Sequence, residues 1–160
     1  MAADMFLKIT GIKGESTDDT HKGEIEIESF SFGVSNTGTA GRGGGMGAGK
    51  AFFQDISFSK RADAASPVLM QKCATGDHID KALLTVRKAG GGQQEYYKIT
   101  LSDLMISSFT NAGSDGDSVP SESLSLNFGK IEFDYYTQAK DGSLGSPTKA
   151  GYDMETNKKI

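Results

Sequence analysis

The sequence predicts a mainly β fold built from long strands that swap their buried face partway along. Three observations carry this. From Ser121 to Thr137, SESLSLNFGKIEFDYYT, apolar Leu124, Leu126 and Phe128 alternate with polar Ser123, Ser125 and Asn127. A period of two marks a strand with one buried face. The phase then flips to Ile131, Phe133 and Tyr135, so Gly129-Lys130 reads as a bulge or bend. The same slip recurs in Glu24 to Val34 (Ile25 and Ile27, then Phe30, Phe32 and Val34) and in Gln94 to Ser107 (Tyr97, Ile99 and Leu101, then Leu104 and Ile106). Third, 36% hydrophobic residues and 21 glycines suit an all-β chain with long loops, or one that completes its burial in a partner. Strands of this kind need a coiled sheet closing on itself, or strands leaving one packed layer to join another.

Taken in order, Asp4 to Thr10 is a first strand with Met5, Leu7 and Ile9 on one face, and Gly11 to Lys22 is a polar loop. Glu24 to Val34 follows, with its switch at Glu28-Ser29. Ser35 to Lys50, SNTGTAGRGGGMGAGK, is a long Gly-rich connection of a size that is functional or disordered in a compact domain. Phe52 to Lys60 is a third strand with Phe52, Ile56 and Phe58 in phase. Ser66-Pro67 opens a short helix, Ser as N-cap and Pro as first helical residue, and Gly76 suits its C-terminus. Leu69 and Cys73 share its apolar face, with Met70 at the edge. Ile79 to Lys88 is a strand with Ala82, Leu84 and Val86 inward, turning at Ala89 to Gly92 into Gln94 to Ser107. Asn111 to Val119 is a polar loop. The tail from Lys140 to Ile160 shows little periodicity beyond a short terminal strand around Tyr152.

A chain of 160 residues is one domain by length and can bury a real core. With 21 acidic against 17 basic residues, it lacks the basic excess of a duplex nucleic-acid binder. Cys73 is the single cysteine, so no intrachain disulfide forms. The N-terminus, MAADMFLKI, has no basic n-region and no apolar h-region, and no apolar run reaches the ~20 residues of a membrane span.

Candidate chemical motifs dissolve on inspection. Gly44 to Lys50, GGMGAGK, fits a phosphate-loop pattern, but Ala51 replaces the Mg²⁺-binding Ser or Thr and a strand pattern follows instead of a helix. Cys73 on an apolar helix face acts as a small hydrophobe. His21 and His78 are the two histidines and make neither a triad nor a zinc set. Ser57-x-x-Lys60 sits on a strand, and Asp115-Gly-Asp117 lacks the rest of a Ca²⁺ loop. No catalytic constellation, cofactor or metal site is expected. The informative feature is a surface: Ser29 and Ser31, and Ser123, Ser125 and Asn127, point away from the apolar face. They form either an ordinary wet sheet face or the lining of a water-filled passage.

In these segments the chain resembles the haemolysin-coregulated protein (Hcp) family, inner-tube subunits of the type VI secretion system. The carriers are MAADMFLKITGIKGES, THKGEIEIESFSFGVS, the Gly-rich segment ending GAGK, FFQDISFSKRADAASPVLMQKCATGDH, LTVRKAGG, YYKITLSDLMISSF and SLSLNFGKIEFDYYTQ. The resemblance implies a single β-barrel domain over 1–160, made of two packed antiparallel sheets with one short flanking α-helix (66–75) and an extended loop (38–50). It implies a homo-hexameric ring, stacked into a tube that is expelled with a spike by a sheath. Such a subunit would pass from the bacterial cytoplasm to the outside without a cleaved signal peptide, carrying effector proteins in its lumen and binding neither nucleic acid nor membrane. Carried over, the ring-stacking residues are Gly38, Thr39, Arg42, Gly43, Gly44, Gly45, Met46, Gly47 and Lys50, and the lumen residues Ser29 and Ser31. The alternative from the residues alone is a small monomeric ligand-binding β-barrel.

Overall fold

A computed structural model of the chain describes residues 3–38, 50–88 and 92–160. In chain order the elements are β1 (Ala3–Ile9), β2 (Ile25–Ile27), β3 (Ser29–Ser31), β4 (Val34–Asn36), β5 (Ala51–Phe53), β6 (Ile56–Arg61), α1 (Ser66–Thr75), β7 (Ile79–Lys88), β8 (Glu95–Ala112), β9 (Ser121–Gln138), β10 (Leu144–Asp153) and β11 (Lys158–Lys159). All pairings are antiparallel, so the fold is mainly β, as expected. Among the described residues there are two sheets, one of nine strands and a two-stranded ribbon of β4 and β5.

The face switches are real and are shared between neighbours. Rungs Ser102↔Lys130 and Leu104↔Phe128 put Asp103 of β8 opposite Gly129 of β9. Asp103 has φ 52°, a left-handed backbone that bends the strand. Both long strands therefore turn at one level: Tyr97 to Leu101, Ile131 and Phe133 serve one wall, and Leu104 to Ile106 and Leu124 to Phe128 the other, while Tyr135, expected inward with Phe133, is 44% exposed. Glu28 makes the third switch, separating β2 from β3, and its N–H donates to the Ser59 carbonyl at 2.8 Å. With β2 and β3 taken as one bent strand, the pairings run β1, β2–β3, β6, β9, β8, β7 and back to β1. Leu7, Ile25, Ile56, Leu84, Ile99, Leu101, Ile106 and Leu126 fill the inside of this cycle and are fully buried.

Five expectations are corrected. Phe52 does not join Ile56 and Phe58; it is 64% exposed, while Phe53 packs on Phe128 and Tyr152. The expected third strand is two, because β5 leaves the barrel to pair with β4 and the phase resets across Gln54-Asp55. Val34 goes with the ribbon and is 56% exposed instead of inward. Met70 faces solvent, leaving Leu69 in the core with Val68 and Cys73 against it. The tail, expected to be nearly irregular, supplies a ten-residue strand, β10, paired along Lys130 to Gln138.

The helix begins and ends where expected, with a different N-terminal device. Ser66 Oγ accepts from the Asp63 N–H, and Asp63 Oδ1 accepts from the Ala65 N–H, both at 2.9 Å. Ala65, not Ser66, is the N-cap residue. Gly76 takes φ 67° and its N–H donates to the Lys72 carbonyl, closing the last turn.

The segment 11–24 is more than a loop. It folds over the outer face of β1 and β7 and buries Ser16 and His21. Gly14 is required there, since a Cβ would lie 2.5 Å from the Glu24 carbonyl oxygen and 2.8 Å from the Ile25 Cα. Gly14→Ala is expected to lower the unfolding free energy by about 1–3 kcal/mol, as overpacking against unyielding backbone does. Urea titration checks this by a lower midpoint at unchanged slope.

Candidate functional site

The outward residues of β3, β6, β9 and β8 align into two rows of hydroxyls. The register places Ser29, Ser59, Ser123 and Thr110 side by side, and next to them Ser31, Ser57, Ser125 and Ser108. Behind them Phe58, Leu124 and Leu126 bury the opposite face. The hydroxyls satisfy one another: Ser29 to Ser59 is 2.5 Å, and Ser125 meets Ser107 at 2.7 Å and Ser108 at 2.6 Å. At the lower edge Ser107 donates to Asp55 at 2.6 Å and Asn127 donates to Asp55 at 2.8 Å. The two hydroxyl rows themselves carry no charge.

This face ends in two open edges. β3 pairs only with β6, and β8 parts from β7 beyond Leu104, so Met105 to Ala112 has one free side among the described residues. Neither edge carries a proline or a charge. Another edge, β10 ahead of its pairing with β11, is guarded differently: it holds Pro147, Lys149 and a register shift between Leu144 and Pro147. Prolines, lysines and bulges are what keep an edge from pairing. The two edges of the hydroxyl face are thus left able to pair, and that of β10 is blunted.

Of the residues singled out from sequence, Ser29 and Ser31 lie exposed in the hydroxyl rows, beside Ser59 and Ser57. Gly38 follows β4, its N–H donating to Asn36 Oδ1 at 3.0 Å, and Lys50 is exposed just before β5. Thr39, Arg42, Gly43, Gly44, Gly45, Met46 and Gly47 lie outside the described residues. Ala51 opens a strand, not a helix, so the phosphate-loop pattern lacks its structural context. Sequence reasoning missed Ser57, Ser59, Thr110, Ser107, Ser108 and Asp55; their outward phase was visible, their alignment was not.

Two ionic clusters brace the barrel. Lys60 and Glu122 continue the inward phase of β6 and β9, and both side chains are fully buried, 2.7 Å apart. Lys60 also reaches Asp63 at 2.9 Å, and Glu122 accepts from Asn111 at 3.0 Å. On the outer face Arg87 is buried against the Phe6 ring, 4.8 Å from its centroid, and pairs with Asp18 and Asp4. Hydrogen bonding from Arg87, then from Thr20, holds the Asp18 carboxyl well below the usual carboxylate range. The same pairing pushes Arg87 up. His21 stacks on the other side of this cluster, its centroid 4.3 Å from that of Phe6, and bridges Glu24 and Glu95. No His, Cys, Asp or Glu group able to hold a metal occurs among the described residues. None of their helices is long and apolar enough to cross a membrane.

The fold and this surface define a β-rich protein that presents hydrogen-bonding side chains spread over one exposed sheet face. Comparison with known proteins gives the class its family. The family described as "Type VI secretion system effector, Hcp" matches residues 6–135. Protein hcp1 of Pseudomonas aeruginosa is 45% identical over 159 residues, covering 98% of each chain. Hcp1 from Salmonella typhimurium superposes with a TM-score of 0.83 at 39% identity over the whole of both chains. A further solved type six secretion system protein reaches a TM-score of 0.94 at 28% identity, covering 99% of this chain and all of that one. The chain belongs to the Hcp family of type VI secretion system proteins.

Proposed function

We propose that this chain is the non-catalytic repeating subunit of a type VI inner tube. Six copies close into a ring, rings stack through the 38–50 segment, and the tube carries effector proteins past the hydroxyl rows. Spike and sheath components would be its other partners, and it would leave the cytoplasm through that apparatus without a cleaved signal peptide. One observation carries the reading: an uncharged hydroxyl face four strands wide, flanked by two unguarded edges. Pairing the β3 edge of one copy with the β8 edge of the next continues the sheet, and a head-to-tail contact of this kind closes a ring when its rotation closes.

The dimensions agree. Strands lie about 4.8 Å apart, so six copies of four strands give a wall about 115 Å around, or roughly 37 Å across. That is comparable to a folded domain of ~100 residues. Ser29 and Ser31 would then face the channel, where neutral hydroxyls hold cargo weakly enough to release it. The monomeric ligand-binding alternative finds no support, because the inside of the barrel is filled with Leu and Ile side chains.

Sedimentation tests this: the expected particle has about six times the 16.9 kDa chain mass, with annular images by electron microscopy. Removing Gly38 to Lys50 is expected to leave rings intact and abolish their stacking. A monomer at every concentration tried would overturn the reading.

A further inference from the structure

Charge is unevenly placed at the two ends of the hydroxyl face. Along the outward positions of β3, β6, β9 and β8 the charged side chain is Arg61, and Glu28 pairs with it at 3.3 Å. That end is neutral. At the other end stands Asp55, one step before β6 and in phase with Ser57, Ser59 and Arg61. Its two carboxylate oxygens accept from Ser107 Oγ at 2.6 Å and from Asn127 Nδ2 at 2.8 Å. No cation pairs with it among the described residues. One uncompensated negative charge therefore lies on this side of the sheet.

Asp55 also orders the hydroxyls beside it. A serine hydroxyl has one proton to donate, and a carboxylate only accepts. Ser107 gives its proton to Asp55, so in its 2.7 Å contact with Ser125 it must accept. Ser125 has thereby used its own proton, and in its 2.6 Å contact with Ser108 it accepts in turn. The chain runs in a single direction, from Ser108 through Ser125 and Ser107 to Asp55. Hydrogen bonds aligned in this way reinforce one another. All three protons are spent inside the chain, so this stretch offers lone pairs beside a negative charge. Those are acceptors, suited to an ammonium or a guanidinium.

We propose that the hydroxyl face selects its cargo by charge, Asp55 favouring effector proteins whose exposed surface is rich in lysine and arginine. This rests on the tube reading above and names the chemistry of what the tube carries. In a ring of six copies Asp55 recurs six times around the wall. Screening limits its reach to about 8 Å at physiological salt, so a domain wide enough to touch the wall feels it. A passage lined by one sign of charge concentrates partners of the other sign by about tenfold or more.

The test uses rings of the full chain and one folded domain of ~100 residues, prepared with a basic and with an acidic surface. Sedimentation establishes the ring, and co-sedimentation measures binding of each version. Wild-type rings are expected to bind the basic version about tenfold or more tighter than the acidic one at low salt, the gap closing as salt rises. Asp55→Asn is expected to narrow the gap to about threefold or less, and Asp55→Lys to reverse it. The wild-type comparison and its salt dependence decide the matter even where a variant does not fold. Wild-type rings that bind both versions equally overturn the inference and leave the tube standing. So does a preference that Asp55→Asn leaves unchanged. A wild-type chain that forms no ring overturns the tube reading and this selectivity together.

Discussion

Glu122→Leu is expected to destabilise the fold by about 3–5 kcal/mol, the range for removing one partner of a buried ion pair. In a chain of this length that lowers the melting temperature by on the order of 10 °C. The cause is local. Lys60 is fully buried and its ammonium lies 2.7 Å from Glu122, with Asp63 as its other carboxylate. Taking Glu122 away leaves the buried ammonium with Asp63 as its one carboxylate, and leaves the Asn111 amide without its acceptor. The double variant Lys60→Met, Glu122→Leu is expected to recover most of the loss, since an apolar pair of similar volume avoids desolvating two charges. Thermal denaturation of the three variants decides the matter. A double variant as unstable as the single one would mean that the pair does more than cancel its own burial.

Arg87→Met is expected to cost about 2 kcal/mol and to change how stability responds to acid. Met keeps the packing on Phe6 but removes the guanidinium that ties Asp18 and Asp4 to β7, so segment 11–24 loses its main anchor. Asp18 is depressed from 3.8 in the folded chain. Its contribution is therefore complete above the ordinary carboxylate value and is lost as pH falls below it. Wild type should lose its advantage over Arg87→Met progressively between about pH 5 and pH 2, and keep it near neutrality. Urea midpoints at a series of pH values measure the difference. A gap that stays constant down to pH 2 would contradict the assigned cause.

How much could be read from sequence varied with the physics behind each element. β9 was legible almost residue for residue, because Leu124, Leu126 and Phe128 bury one face and Ile131 and Phe133 the other. The kink at Gly129 showed as a broken alternation; that Asp103 answers it across the sheet depends on register, which alternation does not encode. β10 was illegible for a related reason. It has no fully buried face, with Gly145, Ser146, Thr148, Lys149 and Ala150 all exposed, and is held by backbone pairing to β9. Lys60 and Glu122 obeyed the inward period but looked like polar strand ends, since their pairing spans 62 positions. Ser29 and Ser31 were found by phase alone. Their neighbours in the hydroxyl rows came from three other strands, and lining them up needed the pairing. Arg87 was hidden because its burial is supplied by a segment that reads as plain loop.

The shared bend at Asp103 and Gly129 constrains the order in which the molecule can assemble. β8 and β9 are joined by a short connection and meet along fourteen rungs, so they can zip locally and early. Ser59 must find Ser123 across a separation of some ~60 positions, and β3 cannot dock until β6 is in place. The wall that ends in unguarded edges is thus completed last. A freshly made chain keeps its self-pairing strands apart until the interior is already formed, which limits premature association between half-folded copies.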